Sequence, residues 1–172
     1  MTTQCSFCEL IENKQNLLYE DEKIYAMLYP NPSTPGHVAV LPKEHATILE
    51  QVPDYVVSEM FAKANKMSIV AFETVGAQGT NLLIQNGVAA GQKNAHVILH
   101  VIPRRQNDGI KLEWQPKQLT EEQMSTVELN LKEATKRVGE FETEKPKPKE
   151  IKEPEKLTKE EDYLIKQLKR RP

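Results

Sequence analysis

The sequence predicts one mixed domain of strands and helices, followed by a charged C-terminal appendage. Five short apolar runs are bounded by proline, glycine or acidic turns, as strands are. Two long segments repeat their apolar residues every three or four positions, as amphipathic helices do. Apolar residues then become scarce after residue 141. A chain of 172 residues that is 38% hydrophobic can build one core, while 28% charged residues and 11 prolines imply that part of it stays outside that core.

In chain order, Cys5 to Glu12 opens the fold. Leu17-Leu18-Tyr19 and Ile24 to Met27 are expected as two short strands around the acidic turn Asp21-Glu22. Pro30 to Pro35 forms a proline-rich loop, and Gly36 to Leu41 a third strand ending at Pro42. Asp54, after Pro53, is expected to N-cap a long helix reaching about Val75, because Val56, Met60, Ala64, Met67, Ala71 and Val75 share one helical face. Gly76 and Gly79 stop that helix. Asn81 to Gln85 and His96 to Ile102 are strands on either side of a loop over Asn86 to Ala95. Thr120 and Gln123 have capping-box spacing and start a second helix. Its seam of Met124, Val127, Leu131, Ala134, Val138 and Phe141 is long enough to dock on the domain or on a dimer mate.

Residues 142–156 are rich in proline, lysine and glutamate and are expected to form a disordered linker. Residues 157–172 regain helix signals: Thr158 and Glu161 match a capping box ahead of Tyr163, Leu164, Ile165 and Leu168, and Lys169-Arg170-Arg171 suits a helix C-terminus. This reads as a short helix that docks on a protein partner. The expected organisation is therefore a domain over 1–115, a C-terminal helix over 116–141, a linker over 142–156 and a tethered docking helix over 157–172.

A net charge of −2 gives no basic field, so nucleic acid is not indicated. No N-terminal apolar run is present, and no stretch approaches the roughly 18–20 apolar residues of a membrane span, so a cytoplasmic protein is expected. The two cysteines, Cys5 and Cys8, then favour a metal or redox role over a structural disulfide. The run from His96 to Ile102 alternates strictly: His96, Ile98, His100 and Ile102 share one face, and Val97, Leu99 and Val101 the other. It looks like a row of three imidazoles with the middle one replaced by a hydrocarbon.

Several ordered motifs carry a family resemblance. Cys5-Ser6-Phe7-Cys8 is followed by P-x-x-P-G-H ending at His37 and V-L-P-K-x-H ending at His45. N-G-x-x-A-G-Q then runs from Asn86 to Gln92, and the histidine run ends at Ile102-Pro103-Arg104. Over roughly residues 4–112 the chain resembles the histidine triad (HIT) family of nucleotide hydrolases and transferases. The resemblance implies an α+β fold with an antiparallel sheet of about five strands and a long helix, and a homodimer. It implies a zinc ion held by Cys5, Cys8, His45 and His96; a Cys2His2 set closes a tetrahedral shell with no open position, as structural zinc requires. It also implies a phosphate site for a purine nucleotide, with Asn86, Gly91, Gln92 and His100 as contacts and His37 and His100 as residual catalytic groups.

The chain departs from the family in two places. The family's nucleophile is the middle histidine of the triad, and Ile98 stands there without a lone pair to attack phosphorus. Tyr29 stands where many members have an Asp that binds ribose hydroxyls. Three functions are therefore weighed: a binding or adaptor module that has lost nucleotidyl-histidine catalysis, a phosphohydrolase or nucleotidyl transferase using His100 or His37 as general base, and a sensor of AMP-like nucleotides.

Overall fold

The computed structural model describes residues 5–140 and 142–144. Five antiparallel strands form one open sheet, β1 (Leu17–Glu20), β2 (Ile24–Leu28), β3 (Val38–Pro42), β4 (Gly79–Ile84) and β5 (Leu99–Arg104), in the spatial order β1-β2-β3-β5-β4. Among the described residues three helices accompany it: α1 (Ser6–Glu12), α2 (Asp54–Val75) and α3 (Glu121–Ala134). This is the mixed fold with a five-stranded antiparallel sheet that the sequence implied.

Side-chain alternation divides the core between the two faces of the sheet. Ile24, Ala26, Val38, Val40, Leu99 and Val101 face α2, where Val56, Met60 and Ala64 cover them. Tyr25, Met27, Ala39, Leu41 and Ile98 face the other way and pack with Phe7 of α1. α2 is long enough to span the sheet, and Gly76 closes it in the left-handed conformation (φ 62°), where a side chain would be strained. Its N-cap is Pro53 rather than Asp54. Proline's fixed φ already sets up the turn, and the Asp54 carboxylate accepts the Glu142 N–H instead, at 2.9 Å.

The third predicted strand, Gly36 to Leu41, occupies Val38–Pro42, and the fourth, Asn81 to Gln85, occupies Gly79–Ile84. The strand predicted over His96 to Ile102 begins only at Leu99. β3 pairs with β5 from Val38 to Val40, after which Val97 donates to the Ala46 carbonyl at 2.8 Å, outside the ladder. His96 to Ile98 therefore lead into the sheet from a bend at His96 without joining its ladder, with Val97 and Ile98 still packed on opposite sides.

Thr120 and Gln123 form the expected capping box at the start of α3. The helix is shorter than predicted: it ends at Ala134 and tightens into a 3-10 turn over Thr135–Arg137, where the Thr135 hydroxyl bonds the Lys132 carbonyl. Every residue of α3 is exposed, so none of the described residues covers its apolar seam. Phe141, residues 145–156 of the linker and the docking residues Tyr163, Leu164, Ile165 and Leu168 lie outside the described residues.

Candidate functional site

Two clusters of histidine meet at the N-terminal end of β5. In the first, Cys5 caps α1, Cys8 lies within its first turn, His45 follows β3, and His96 precedes β5. One ligand atom from each of the four lies within 4.8 Å of every other. Cys8 Sγ is 3.3 Å from His45 Nδ1 and 3.7 Å from His96 Nδ1, and Cys5 Sγ is also 3.7 Å from His96 Nδ1. Metal–sulfur and metal–nitrogen bonds of zinc length give tetrahedron edges of about 3.3–3.8 Å, which these three distances match, and the 4.8 Å bound on the whole set leaves a modest contraction to close a shell.

The chemistry of the donors fits as well. His96 Nε2 sits 3.0 Å from the Pro42 carbonyl, which can only accept, so the ring proton is on Nε2 and the Nδ1 lone pair faces the sulfurs. Burial pushes the Cys8 thiol up to about 11, and the hydrogen bond and negative field of Cys5 add to it. Paired sulfurs that resist ionising alone are relieved by a cation between them.

In the second cluster His37, one residue before β3, meets His100 on β5 across the Ala39–His100 register. His37 Nε2 and His100 Nδ1 are 3.0 Å apart, and both rings are buried. The Ser33 N–H donates to His37 Nδ1 at 3.1 Å. A backbone amide can only donate, so neutral His37 carries its proton on Nε2 and passes a hydrogen bond to His100 Nδ1. Neutral His100 then holds its own proton on Nε2. Among the described residues that nitrogen has no hydrogen-bond partner, and His100 borders a shallow depression lined also by Gln85, Gln92, Lys93, Asn94, His96 and Ile98.

Ile98 lies between the two imidazoles in sequence and is 6% exposed, packed among Phe7, Met27 and Leu41. Beside the depression, the glycine-rich loop over Asn86 to Gln92 is braced from within. Gln92 Oε1 accepts the Gly87 N–H at 2.7 Å, and its amide donates to the Thr47 and Asn94 carbonyls at 2.6 and 2.8 Å. Asn86 accepts the Leu49 N–H and donates to both Glu50 carboxylate oxygens. Gly91 sits at φ 86°, and a Cβ there would come within 2.6 Å of Gln85 Nε2.

Residues 11–107 match the HIT domain family, more than half of the chain. The chain belongs to the HIT family. It is 36% identical over 110 residues to adenylylsulfatase HINT3 of Arabidopsis thaliana, a match covering 63% of this chain and 56% of that one, so the chain spans little more than half of that relative. Among solved structures, a HIT family protein from Bacillus anthracis superposes with a TM-score of 0.70 at 29% identity, covering 78% of this chain and 99% of the other. A Zn-bound histidine triad family protein from Mycobacterium smegmatis superposes with a TM-score of 0.60 at 31% identity, over 78% and 99% of the two chains.

For a HIT protein the site is a partial set. The four metal-ligand candidates and the His37–His100 pair come together as geometry, and Gln92 borders the depression, while Gly91 and Asn86 do not line it. Gln92's amide hydrogens and the Asn86 side chain are, however, engaged in holding the loop. Motif spacing could not show Phe7 as the anchor of α1, the Pro42 carbonyl that orients His96, or the Ser33 N–H that orients His37. The aromatic between two cysteines was the one visible cue, to Phe7.

The buried imidazoles make stability depend on pH. Burial, with the field of His100, lowers His37 from its ordinary value to about 4; burial also lowers His100 and His96. The unfolded chain takes up a proton near pH 6.5 that folded His37 refuses. Its effect is flat above that pH and costs about 3 kcal/mol as pH falls towards 4. Urea midpoints measured at pH 7 and pH 4.5 should therefore differ less in His37→Gln than in the unmodified protein.

Proposed function

We propose that this protein is a zinc-stabilised HIT-fold module that has lost nucleotidyl-histidine catalysis and works by binding, with residues 157–172 as a docking arm for a protein partner. The observation that carries the reading is Ile98, a hydrocarbon that packs in an apolar cluster and lines the depression where the family's nucleophile stands. Neither neighbour can stand in for it. His96 is turned towards the cysteines and the Pro42 carbonyl. His100 lies two residues, or about 6.6–6.8 Å, along the chain, while in-line attack tolerates about 1 Å of misplacement.

The hydrogen-bond order also weakens the alternative of a phosphohydrolase or nucleotidyl transferase with a general base. With Nδ1 of both imidazoles occupied as acceptors, His100 offers the depression an N–H donor rather than a lone pair. A donor suits an anionic oxygen, so an AMP-like purine nucleotide remains the ligand class to test, with Asn86, Gly91, Gln92 and His100 around it. A homodimer would cover Phe61, Ile69 and Phe72 of α2 and Leu82 of edge strand β4, all exposed here. Cytoplasmic location and the division at residues 115, 141 and 156 belong to the same reading. No helix of the described residues is long and apolar enough to cross a membrane.

Hydrolysis of an AMP-linked substrate should not exceed that of His100→Ala, and robust turnover lost in that variant would favour the phosphohydrolase reading. Calorimetry with AMP tests ligand binding, and no heat at millimolar nucleotide removes the sensor role. Deleting residues 157–172 should abolish capture of the partner protein while leaving the melting temperature nearly unchanged.

A further inference from the structure

The two histidine clusters are joined by a stack of rings. α1 has seven residues, too few to persist as a helix without anchors. At its start the anchors are the cysteine pair and Phe7, its one fully buried side chain; Leu10 and Ile11 pack half-buried against the same cluster further along. Phe7 stacks on Tyr29 with ring centroids 6.1 Å apart and planes 14° from parallel. Tyr29 lies 4.7 Å from the His37 ring and meets His100 edge-on at 4.9 Å. Its backbone N–H is fixed to the His37 carbonyl at 2.9 Å, and its hydroxyl accepts from the Asn94 amide at 3.3 Å.

We propose that the Cys/His cluster positions the His37–His100 pair through Phe7 and Tyr29, so that metal occupancy sets how open that pair is to solvent. This rests on the metal reading of Cys5, Cys8, His45 and His96. A bound cation ties α1 to the residues before β5 and after β3, which holds Phe7 against Tyr29. Without the cation the start of the short helix is released, Leu10 and Ile11 still hold its end against the apolar cluster, and Phe7 parts from Tyr29 as the first turn of α1 frays. The Tyr29 backbone stays bonded to the His37 carbonyl, so the ring is what moves, and both imidazoles lose a wall. Phe7 and Tyr29 are positioning residues, because they act through the histidines.

Carbethoxylation of His37 and His100 by diethyl pyrocarbonate, mapped by peptide mass on the full chain, tests this. Modification should be slow in the zinc-loaded protein and about tenfold faster after chelation, as local opening removes protection. Phe7→Ala and Tyr29→Ala should show the same acceleration while keeping one metal per chain, and Tyr29→Phe should stay slow. Unchanged reactivity in both alanine variants, with metal content preserved, overturns the proposal. Unchanged reactivity after metal is removed from a protein shown to contain it overturns the coupling and leaves the metal reading standing. Elemental analysis finding no metal in the unmodified protein defeats the metal reading, and the coupling with it.

Discussion

Chelating the metal from the purified protein is expected to lower its melting temperature by roughly 6–12 °C, with one zinc per chain measured beforehand by elemental analysis. The size follows from what the cluster holds. Losing it frees α1 and exposes Phe7, and burial of one such side chain is worth about 1.5–3 kcal/mol. With ligand bonds added, a loss of about 3 kcal/mol or more is expected, and each kcal/mol moves the midpoint of a domain this size by about 2–4 °C. The effect should stay well below that seen in zinc fingers, which unfold without metal, because the core between the sheet and α2 is independent of the cluster. His96→Ala should reproduce the loss, since His96 is fully buried between the sulfurs and the Pro42 carbonyl. A metal-free protein with an unchanged melting temperature would refute the ligand assignment.

Ile98→His should create turnover of an AMP-linked substrate at least about a hundredfold above the unmodified protein, because a missing nucleophile is among the largest single losses a covalent mechanism suffers. The same change should cost stability. It puts a polar ring among Phe7, Met27 and Leu41, and burying a polar group without a full set of partners costs about 1–3 kcal/mol. A gain in activity with a drop in melting temperature is the expected pair of results. Lower stability with no activity would mean that the ring is present but the pocket beside Tyr29 and Asn94 does not admit the substrate.

How much of this was legible in the sequence depended on the range of the interaction. Local signals were sufficient for α2, whose apolar face and terminal Gly76 are written in neighbouring residues, and for the capping box at Thr120. The alternation from His96 to Ile102 correctly assigned Ile98 and Val97 to opposite faces of the sheet. It could not reveal that pairing starts only at Leu99, since that depends on β4 ending at Ile84 and on the Val97 N–H turning to the distant Ala46 carbonyl. The His37–His100 contact joins residues 63 apart in sequence, and its proton order is set by the Ser33 backbone amide, which carries no side-chain signature. Gln92 shows the opposite hazard. Its motif suggests a phosphate contact, while its hydrogen bonds hold the loop.

The intact mass of the protein during turnover bears most directly on the role of Ile98. After rapid mixing with an AMP-linked substrate, the unmodified chain should show no added nucleotidyl mass, and Ile98→His should show one adduct that maps to the new imidazole. A nucleotidyl group found on His96 or His100 of the unmodified chain would contradict the loss of covalent catalysis.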